Sequence, residues 1–269
     1  MYLGDYHMHS TCSPDGNLTM AQLAQSAIEK GLQEICITDH VDTIRWFTFE
    51  PRTDFDWAEA QRQYEEAQRL YGDRLTIRLG AELGEAALSF ERAEILLQSG
   101  PALDYVIGSV HNASEKLNTF DYCFIEKGDD AYYNTYIEDY LAQTRKLVGW
   151  GKFHALGHLT LPLRYIRNNA GLELTFDRWM DRIEDIFSVM IPKGIGLELN
   201  TNRGGGPLPA INILRRYREM GGEIITFGSD AHTAEYVGFQ IPHYRQVLRQ
   251  DGWKYFAAFE KGEPIFREM

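Results

Sequence analysis

The chain has 269 residues, of which 44% are hydrophobic and 25% are charged, and these fractions are typical of folded globular proteins rather than of disordered or collagen-like chains. Subtracting 39 Asp and Glu from 27 Lys and Arg gives a net charge of −12. This charge disfavours binding of nucleic acid through the general surface, because such binding needs cationic side chains at the phosphates. Three cysteines cannot complete a disulfide framework, and no run is apolar enough to span a membrane. Residues 1–10 show no basic leader before an apolar stretch, so we expect no secretory signal and a cytoplasmic location.

Short β-branched and aromatic runs alternate with longer amphipathic runs along the whole chain. Thr19 with Gln22 predicts a capping box at the start of the first helix, and Asp56 with Glu59 predicts the start of the second. Seven strands are predicted, at residues 2–9, 33–40, 75–85, 103–111, 153–159, 194–202 and 223–232. This alternation predicts a parallel sheet that is either closed into a barrel or open and doubly wound. No linker or repeat divides the chain, so residues 1–269 are interpreted as one domain.

Two connections are longer than the usual few residues, namely 41–55 after the second strand and 112–128 after the fourth. Long loops of this kind are commonly functional, and their aromatic content argues against disorder. The first loop could fold over a bound molecule and exclude water. For the tail, residues 253–266, we expect a helix followed by a short extended piece.

Six of the eight histidines fall in the last residues of a predicted strand. In parallel α/β folds the carboxyl ends of the strands meet at one edge, where the active site is built. We therefore expect these histidines to surround one cavity together with two acidic residues from the third and seventh strands. The set is His7, His9, His40, His111, His158, His232, Glu82 and Asp230.

Alternation along a strand gives this set its chemistry. His7 and His9 are two residues apart and share a face, as do Asp230 and His232. Imidazole nitrogens and carboxylate oxygens that converge in one pocket are ligands for Zn, Mn or Fe. Because more than four such groups are present, we expect more than one ion, with Glu82 as the bridging carboxylate.

The remaining polar residues near strand ends are expected to play supporting or structural roles. Asp39 points away from His40 on an extended strand, so we interpret it as a partner of the site or a helix cap. Glu85 and Glu198 are expected to be surface carboxylates. His154 and His243 lie away from the carboxyl ends of the strands, and both are interpreted as structural.

The motifs together resemble the PHP (polymerase and histidinol phosphatase) superfamily. They are HMHS at 7–10, SPDG at 13–16, TDH at 38–40, GAELGE at 80–85, GSVH at 108–111, GH at 157–158 and GSDAH at 228–232. The resemblance implies a distorted (βα)7 barrel of the TIM-like type and a centre of three divalent metal ions. Carried over by residue, it implies one ion at His7, His9, Glu82 and Asp230, a second at Glu82 and His111, and a third at Asp15, His40, His158 and His232.

Within this superfamily, the length and the segment LELNTNR at 197–203 are most similar to the monofunctional L-histidinol-phosphate phosphatases. The resemblance implies hydrolysis of a small phosphate monoester in histidine biosynthesis, by attack of a metal-bridging hydroxide. Glu82, Asp230 and His232 would then be catalytic, with Asp230, His232 or a bound water protonating the leaving alkoxide. The residues expected to bind the substrate are Arg164, Asn200 and Arg203, since Arg suits bidentate contacts to phosphoryl oxygens.

Two other enzyme classes remain open at this stage. One is a PHP phosphoesterase or nuclease that acts on other small phosphates or on oligonucleotide ends, which the lack of a basic groove disfavours. The other is an amidohydrolase-type barrel, which also begins with an HxH motif but generally adds a bridging lysine from its fourth strand, and residues 103–111 contain no lysine. No feature of the sequence predicts an oligomeric state.

Overall fold

Residues 2–269 are described by a computed structural model, in which seven parallel strands form one nearly closed, barrel-shaped sheet. The strands are neighbours in chain order, as repeated βα units require. They are β1 Gly4–Asp5, β2 Glu34–Ile37, β3 Thr76–Gly84, β4 Tyr105–Ser109, β5 Ala155–Leu156, β6 Gly196–Asn200 and β7 Ile225–Gly228. All seven predicted strands are confirmed, and so is the distorted (βα)7 barrel.

Eight α-helices lie in the connections among the described residues. They are α1 Met20–Glu29, α2 Trp57–Tyr71, α3 Phe90–Gln98, α4 Asp130–Trp150, α5 Pro162–Tyr165, α6 Met180–Met190, α7 Ile211–Glu219 and α8 Ile241–Gln250. The capping box of Thr19 and Gln22 is present, and Asp56 accepts a hydrogen bond from the backbone of Glu59, so both predicted helix starts are confirmed. Between residues 2 and 269 no helix combines the length and apolar character that a membrane crossing requires.

The first and last strands of the barrel meet beyond their short ladders. The backbone N–H of Tyr6 donates to the carbonyl of Phe227 at 2.8 Å, and Met8 forms a parallel bridge with Ala231. His40 bridges Glu82 in the same way, three residues beyond the end of β2. These contacts bring the residues after β1, β2 and β7 to one rim of the barrel.

The amino-terminal end of the barrel is covered by an antiparallel hairpin, β8 Tyr255–Glu260 and β9 Glu263–Glu268. Phe259 of this hairpin packs on Tyr105 with ring centroids 4.8 Å apart, and its backbone N–H donates to Tyr6 Oη at 2.9 Å. The helix expected in the first part of residues 253–266 is therefore wrong, while the extended piece expected after it is present in β9. The four residues Phe256–Phe259 of β8 are all buried, so both faces of this strand are covered by other parts of the chain.

His154 also lies at the amino-terminal end of the barrel. Its Nδ1 accepts a hydrogen bond from the backbone N–H of Val106 at 2.8 Å, and its ring stacks on Tyr105.

The helix before β7, α7, begins at Ile211, with Ala210 as its N-cap.

Candidate metal centre

The carboxyl ends of the barrel strands bring the predicted ligand residues into one buried cluster. Its middle is His9, whose ring stacks between those of His40 and His232 with both centroid distances at 4.2 Å. These three imidazoles come from the ends of β1, β2 and β7, which are distant in sequence. The structure brings together all eight strand-end residues, namely His7, His9, His40, Glu82, His111, His158, Asp230 and His232.

Glu82, which is fully buried, reaches imidazoles on both sides of this cluster. Its Oε2 atom lies 3.0 Å from His40 Nδ1 and 3.3 Å from His7 Nε2. Its Oε1 atom lies 2.7 Å from His158 Nε2 and 3.2 Å from His111 Nε2. Burial alone would raise the pKa of Glu82, but the surrounding histidines lower it well below its ordinary value. A carboxylate whose two oxygens face different imidazoles has the geometry of a bridging ligand.

Asp15 contributes to the cluster from the loop after β1. Its Oδ2 atom lies 2.7 Å from His232 Nε2, and its Oδ1 atom lies 3.8 Å from His40 Nε2. His158 was expected to belong with these three residues. The structure instead places His158 against Glu82 Oε1, with its Nε2 atom 3.3 Å from His111 Nε2. The His158 imidazole therefore lies with Glu82 and His111 rather than with Asp15, His40 and His232, because β5 lies beside β4 and is separated from β7 by β6.

Glu198 is a part of the site that sequence reasoning missed. It was expected on the surface, but it is 1% exposed because β6 is buried along its whole length. Its Oε1 atom accepts a hydrogen bond from His7 Nδ1 at 2.7 Å, and its Oε2 atom accepts one from the backbone N–H of His158 at 2.6 Å. An acidic residue in the apolar run Gly196–Asn200 is the signal that could have revealed it, since such strands face the barrel interior.

Glu85 and Asp42 form a second missed contact, next to His111. Glu85 is 3% exposed rather than on the surface, and it accepts a hydrogen bond from the backbone N–H of His111 at 2.7 Å. Its Oε1 atom also lies 3.4 Å from His111 Nδ1. Asp42 accepts a hydrogen bond from Trp46 Nε1 at 2.5 Å, and burial raises the pKa of this carboxyl to about 6. Carboxylates behind an imidazole orient the ring and increase its basicity as a ligand.

Asp39 reaches the cluster through two serines. It accepts hydrogen bonds from Ser10 Oγ and Ser13 Oγ, both at 2.7 Å. Ser13 Oγ in turn lies 3.2 Å from His9 Nδ1 and accepts a hydrogen bond from the backbone N–H of His40 at 2.9 Å. The Asp39 carboxylate thus holds the loop after β1 through Ser10 and Ser13, and Ser13 contacts the clustered residues His9 and His40.

The hydrogen bonds of these imidazoles leave one ring nitrogen exposed to the interior of the cluster. His7 Nδ1 donates to Glu198 Oε1, and His9 Nδ1 lies 3.2 Å from Ser13 Oγ, whose own proton is donated to Asp39. Donation from Nδ1 leaves Nε2 unprotonated and able to bind a cation. Five atoms that face the interior of the cluster are among the buried polar atoms of residues 2–269 that have no hydrogen bond, namely His7 Nε2, His9 Nε2, His40 Nδ1, Glu82 Oε2 and His232 Nε2.

Buried polar atoms without partners are costly and need an explanation. Here they are the nitrogen and oxygen atoms that divalent transition metals prefer, and several groups of three lie within 4.8 Å of one another. The residues therefore fit a centre of more than one divalent cation, with Glu82 in two of those groups.

A cavity of about 320 Å³ opens on the cluster. Arg164 and Arg203 form one part of its wall, next to Asp230. Arg164 Nη2 donates to Asp230 Oδ2 at 2.8 Å, and Arg164 Nε donates to Asn202 Oδ1 at 2.5 Å. Arg203 Nε donates to the carbonyl of Asp230 at 3.2 Å. Two guanidinium groups therefore stand beside the clustered ligands, where an anion could contact both.

Asn200 does not share this position. It is fully buried and is not part of the cavity wall formed by residues 2–269. Its Oδ1 atom accepts a hydrogen bond from the backbone N–H of Asn202 at 2.9 Å, and its Nδ2 atom lies 3.3 Å from Glu198 Oε2. The predicted substrate contact of Asn200 has no support in this geometry, because the side chain of this β6 residue is used in the turn that presents Arg203.

The long loop after β2 supplies an aromatic wall. Trp46 and Phe49 line the cavity, and the Trp46 ring packs on His40 with centroids 4.9 Å apart. Phe47 is 79% exposed and points to solvent, while the Arg52 guanidinium lies over the Phe55 ring at 5.9 Å. Arg45, Trp46 and Phe49 of this loop therefore line the site, whereas Phe47 and Arg52 do not.

The chain is similar in sequence to known proteins and similar in fold to a known crystal structure. A probable histidinol-phosphatase from Thermotoga maritima is 26% identical over 94% of both chains. A histidinol-phosphatase from Lactococcus lactis is 27% identical, over 95% of this chain and 93% of that protein. A crystal structure of histidinol phosphate phosphatase from Lactococcus lactis, complexed with Zn, L-histidinol and phosphate, superposes with a TM-score of 0.80 at 22% identity and covers 98% of both chains.

The family model for the PHP domain matches residues 5–202, well over half of the chain. The matched range contains strands β2 to β6, the second residue of β1 and most of the clustered histidines. The resemblance noted from the motifs is confirmed, and the chain belongs to the PHP domain family.

Proposed function

We propose that this chain is a metal-dependent phosphomonoesterase that hydrolyses L-histidinol phosphate to L-histidinol and phosphate. The observation that carries the proposal is a set of buried, unpartnered ligand atoms at the end of a cavity whose wall holds two arginines. The names of the relatives supply the substrate. The three free cysteines fit a reducing compartment, so we place the reaction in the cytoplasm.

Three divalent ions of Zn, Mn or Fe would be held by nine residues of this chain. Glu82 would be shared between ions, since its two oxygens face different imidazoles. The distances favour three ligand groups, namely His7, His9, Glu82 and Asp230; Glu82, His111 and His158; and Asp15, His40 and His232.

When bound, such ions supply Lewis acidity that activates water and stabilises charge on phosphoryl oxygens. Arg164 and Arg203 would bind and orient the phosphoryl group, because their guanidinium groups flank Asp230 at the cavity wall. Trp46 would exclude water from the reacting atoms, and its hydrogen bond to Asp42 fixes the indole over the site. Asp230, which contacts both arginines, and His232, whose Nδ1 atom lies 2.9 Å from Arg203 Nη2, are our candidates for handling the proton of the leaving group.

Phosphate release from L-histidinol phosphate, phenyl phosphate and a short oligonucleotide tests the proposal, with metal ions counted per chain in the same preparation. We expect two to three ions per chain and a preference of about 100-fold in kcat/KM for L-histidinol phosphate, which corresponds to about 2.7 kcal/mol of differential transition-state binding. Equal turnover of all monoesters would leave only a general phosphoesterase. Activity without bound metal would contradict the metal-dependent reaction.

A PHP phosphoesterase or nuclease with other substrates is the second candidate, and the oligonucleotide arm addresses it. The cavity volume of about 320 Å³ favours a small ester over a polynucleotide. For an amidohydrolase reaction, the same preparation would hydrolyse amide or lactone substrates instead.

A further inference from the structure

The wall of the cavity is divided by charge. Arg164 and Arg203 come from the connections after β5 and β6, whereas the loops after β3 and β4 contribute Glu85 and Asp121. Arg45 of the loop after β2 also lines the cavity, but its Nη2 atom donates to Asp54 Oδ1 at 2.8 Å. Among the other charged wall residues outside the candidate metal ligands, the two arginines lie on neighbouring loops and the two carboxylates on the two loops before them. A molecule that fills the cavity from one pair of loops to the other therefore meets opposite charges at its two ends.

Asp121 is held in a fixed position on this wall. Its backbone pairs with Asn112, and the next residue, Tyr122, donates its N–H to the carbonyl of His111 at 3.0 Å. Its Oδ1 atom accepts a hydrogen bond from the backbone N–H of Cys123 at 2.8 Å. These contacts hold Asp121 beside His111 and Asn112, which follow β4 close to the candidate metal centre. The position of the Asp121 carboxylate is therefore fixed by backbone contacts.

We propose that Asp121 binds a cationic group on the alcohol half of the substrate, so that the enzyme selects phosphate esters of small amino alcohols. This inference rests on the proposed phosphatase function and adds the residue that recognises the leaving group. The ammonium of L-histidinol phosphate supplies such a cation. The aromatic wall of Trp46, Phe49 and Tyr165 suits a flat ring beside it.

The same charges argue against an oligonucleotide in this cavity. Beyond the scissile ester of an oligonucleotide lies another phosphate, which Asp121 and Glu85 would repel. Glu85 is 3% exposed, so water screens its charge poorly. Selection of an amino alcohol and rejection of a polyanion thus follow from one pair of carboxylates.

The test compares D121N with the unchanged protein on two esters, L-histidinol phosphate and 3-(imidazol-4-yl)propyl phosphate, which lacks only the amine and the stereocentre that carries it. Asn retains the oxygen that accepts the hydrogen bond from Cys123, so the loop is preserved. We expect D121N to lower kcat/KM for the amine-bearing ester by about 10- to 100-fold, chiefly through KM, because a hydrogen bond to a charged group is lost. We expect a change of less than about twofold for the ester without the amine.

E115Q is the matched control, since Glu115 is exposed on the same loop and does not line the cavity within the described chain. It should leave both esters unaffected. A D121N variant that loses both esters equally, or neither, would overturn the role of Asp121 while the proposed function stands. Wild-type protein that hydrolyses neither ester with metal bound would overturn the proposed function itself.

Discussion

Replacing Glu198 with Gln tests whether a buried carboxylate outside the ligand set controls metal binding. Glu198 holds His7 Nδ1 at 2.7 Å and the backbone N–H of His158 at 2.6 Å. Gln has one acceptor oxygen and one NH2 donor, so it can accept from only one of these two groups. If the NH2 group faces His7, Nδ1 must accept, and the ring proton moves to Nε2, the atom that would bind the ion.

The expected loss can be worked from these contacts. One hydrogen bond to a charged group contributes about 1.5–3 kcal/mol, and loss of a partner behind a ligating histidine lowers metal affinity by about 10- to 100-fold. His158 adds to this cost because its φ of +22° is uncommon for a residue other than glycine. We therefore expect E198Q to bind zinc about 10- to 100-fold more weakly, measured by competition with a chromophoric chelator.

A second buried carboxylate provides the control for general destabilisation. Glu34 is fully buried at the amino-terminal end of the barrel, where it accepts hydrogen bonds from Tyr6 Oη at 2.7 Å and Arg78 Nε at 3.0 Å. E34Q should lower the free energy of unfolding of the metal-free protein by about 1–3 kcal/mol without changing zinc affinity. Unchanged zinc affinity in E198Q, or an equal loss in E34Q, would refute the reasoning.

Three further predictions concern the centre and its surroundings. E82A should lose phosphatase activity and at least two metal ions per chain, measured by elemental analysis, because the Glu82 carboxylate reaches imidazoles on both sides. An E82A variant that keeps its ions would contradict the bridging role. Removing metal with a chelator should lower Tm by about 5–10 °C in a thermal scan, since free metal at 100 times its Kd stabilises the folded protein by about 2.7 kcal/mol. Added metal should restore Tm, and an unchanged Tm would argue against a metal site. G228A should unfold at lower urea concentration than wild type, because a Cβ at Gly228 would overlap Glu198 Oε1 and lie 2.5 Å from His7 Cβ, whereas at Gly221 there is open space for a Cβ and a φ of +97°. The stability of G221A should therefore fall only by the cost of placing alanine in that backbone conformation.

The positions of the clustered histidines could be predicted because they depend only on strand order. A residue at the carboxyl end of a parallel strand reaches the rim whatever its neighbours are, so His7, His111 and His232 could be placed together from periodicity alone. The same logic failed at the tail, since residues 255–268 pair with each other and not with the barrel. Four consecutive residues of β8 are buried, and this burial depends on the surface that the hairpin covers. That surface is formed by residues such as Tyr6 and Tyr105 from distant parts of the chain.

The residues that hydrogen-bond to the candidate metal ligands were harder to predict, because these contacts join strands that are far apart in the sequence. Glu198 and His7 are 191 residues apart, and their contact depends on the closure of the barrel. Asn200 was predicted to bind the substrate, and its position near a strand end gave no sign that its side-chain oxygen accepts a hydrogen bond from the backbone N–H of Asn202. Strand order determines which residues approach the rim, while the direction of each side chain depends on packing between elements.

Buried carboxylates at the two ends of this barrel differ in how their oxygens are satisfied. At the amino-terminal end, both oxygens of Glu34 accept hydrogen bonds, from Tyr6, Arg78 and Tyr2. At the other end, Glu82 Oε2 has no hydrogen bond within residues 2–269, although imidazole nitrogens surround it. The same fold therefore buries carboxylates for two purposes. Glu34 is paired with side chains of its own chain, whereas Glu82 lies where a cation would pair with its free oxygen. The burial of Glu34 therefore indicates a role in stability, and the burial of Glu82 indicates a role in metal chemistry.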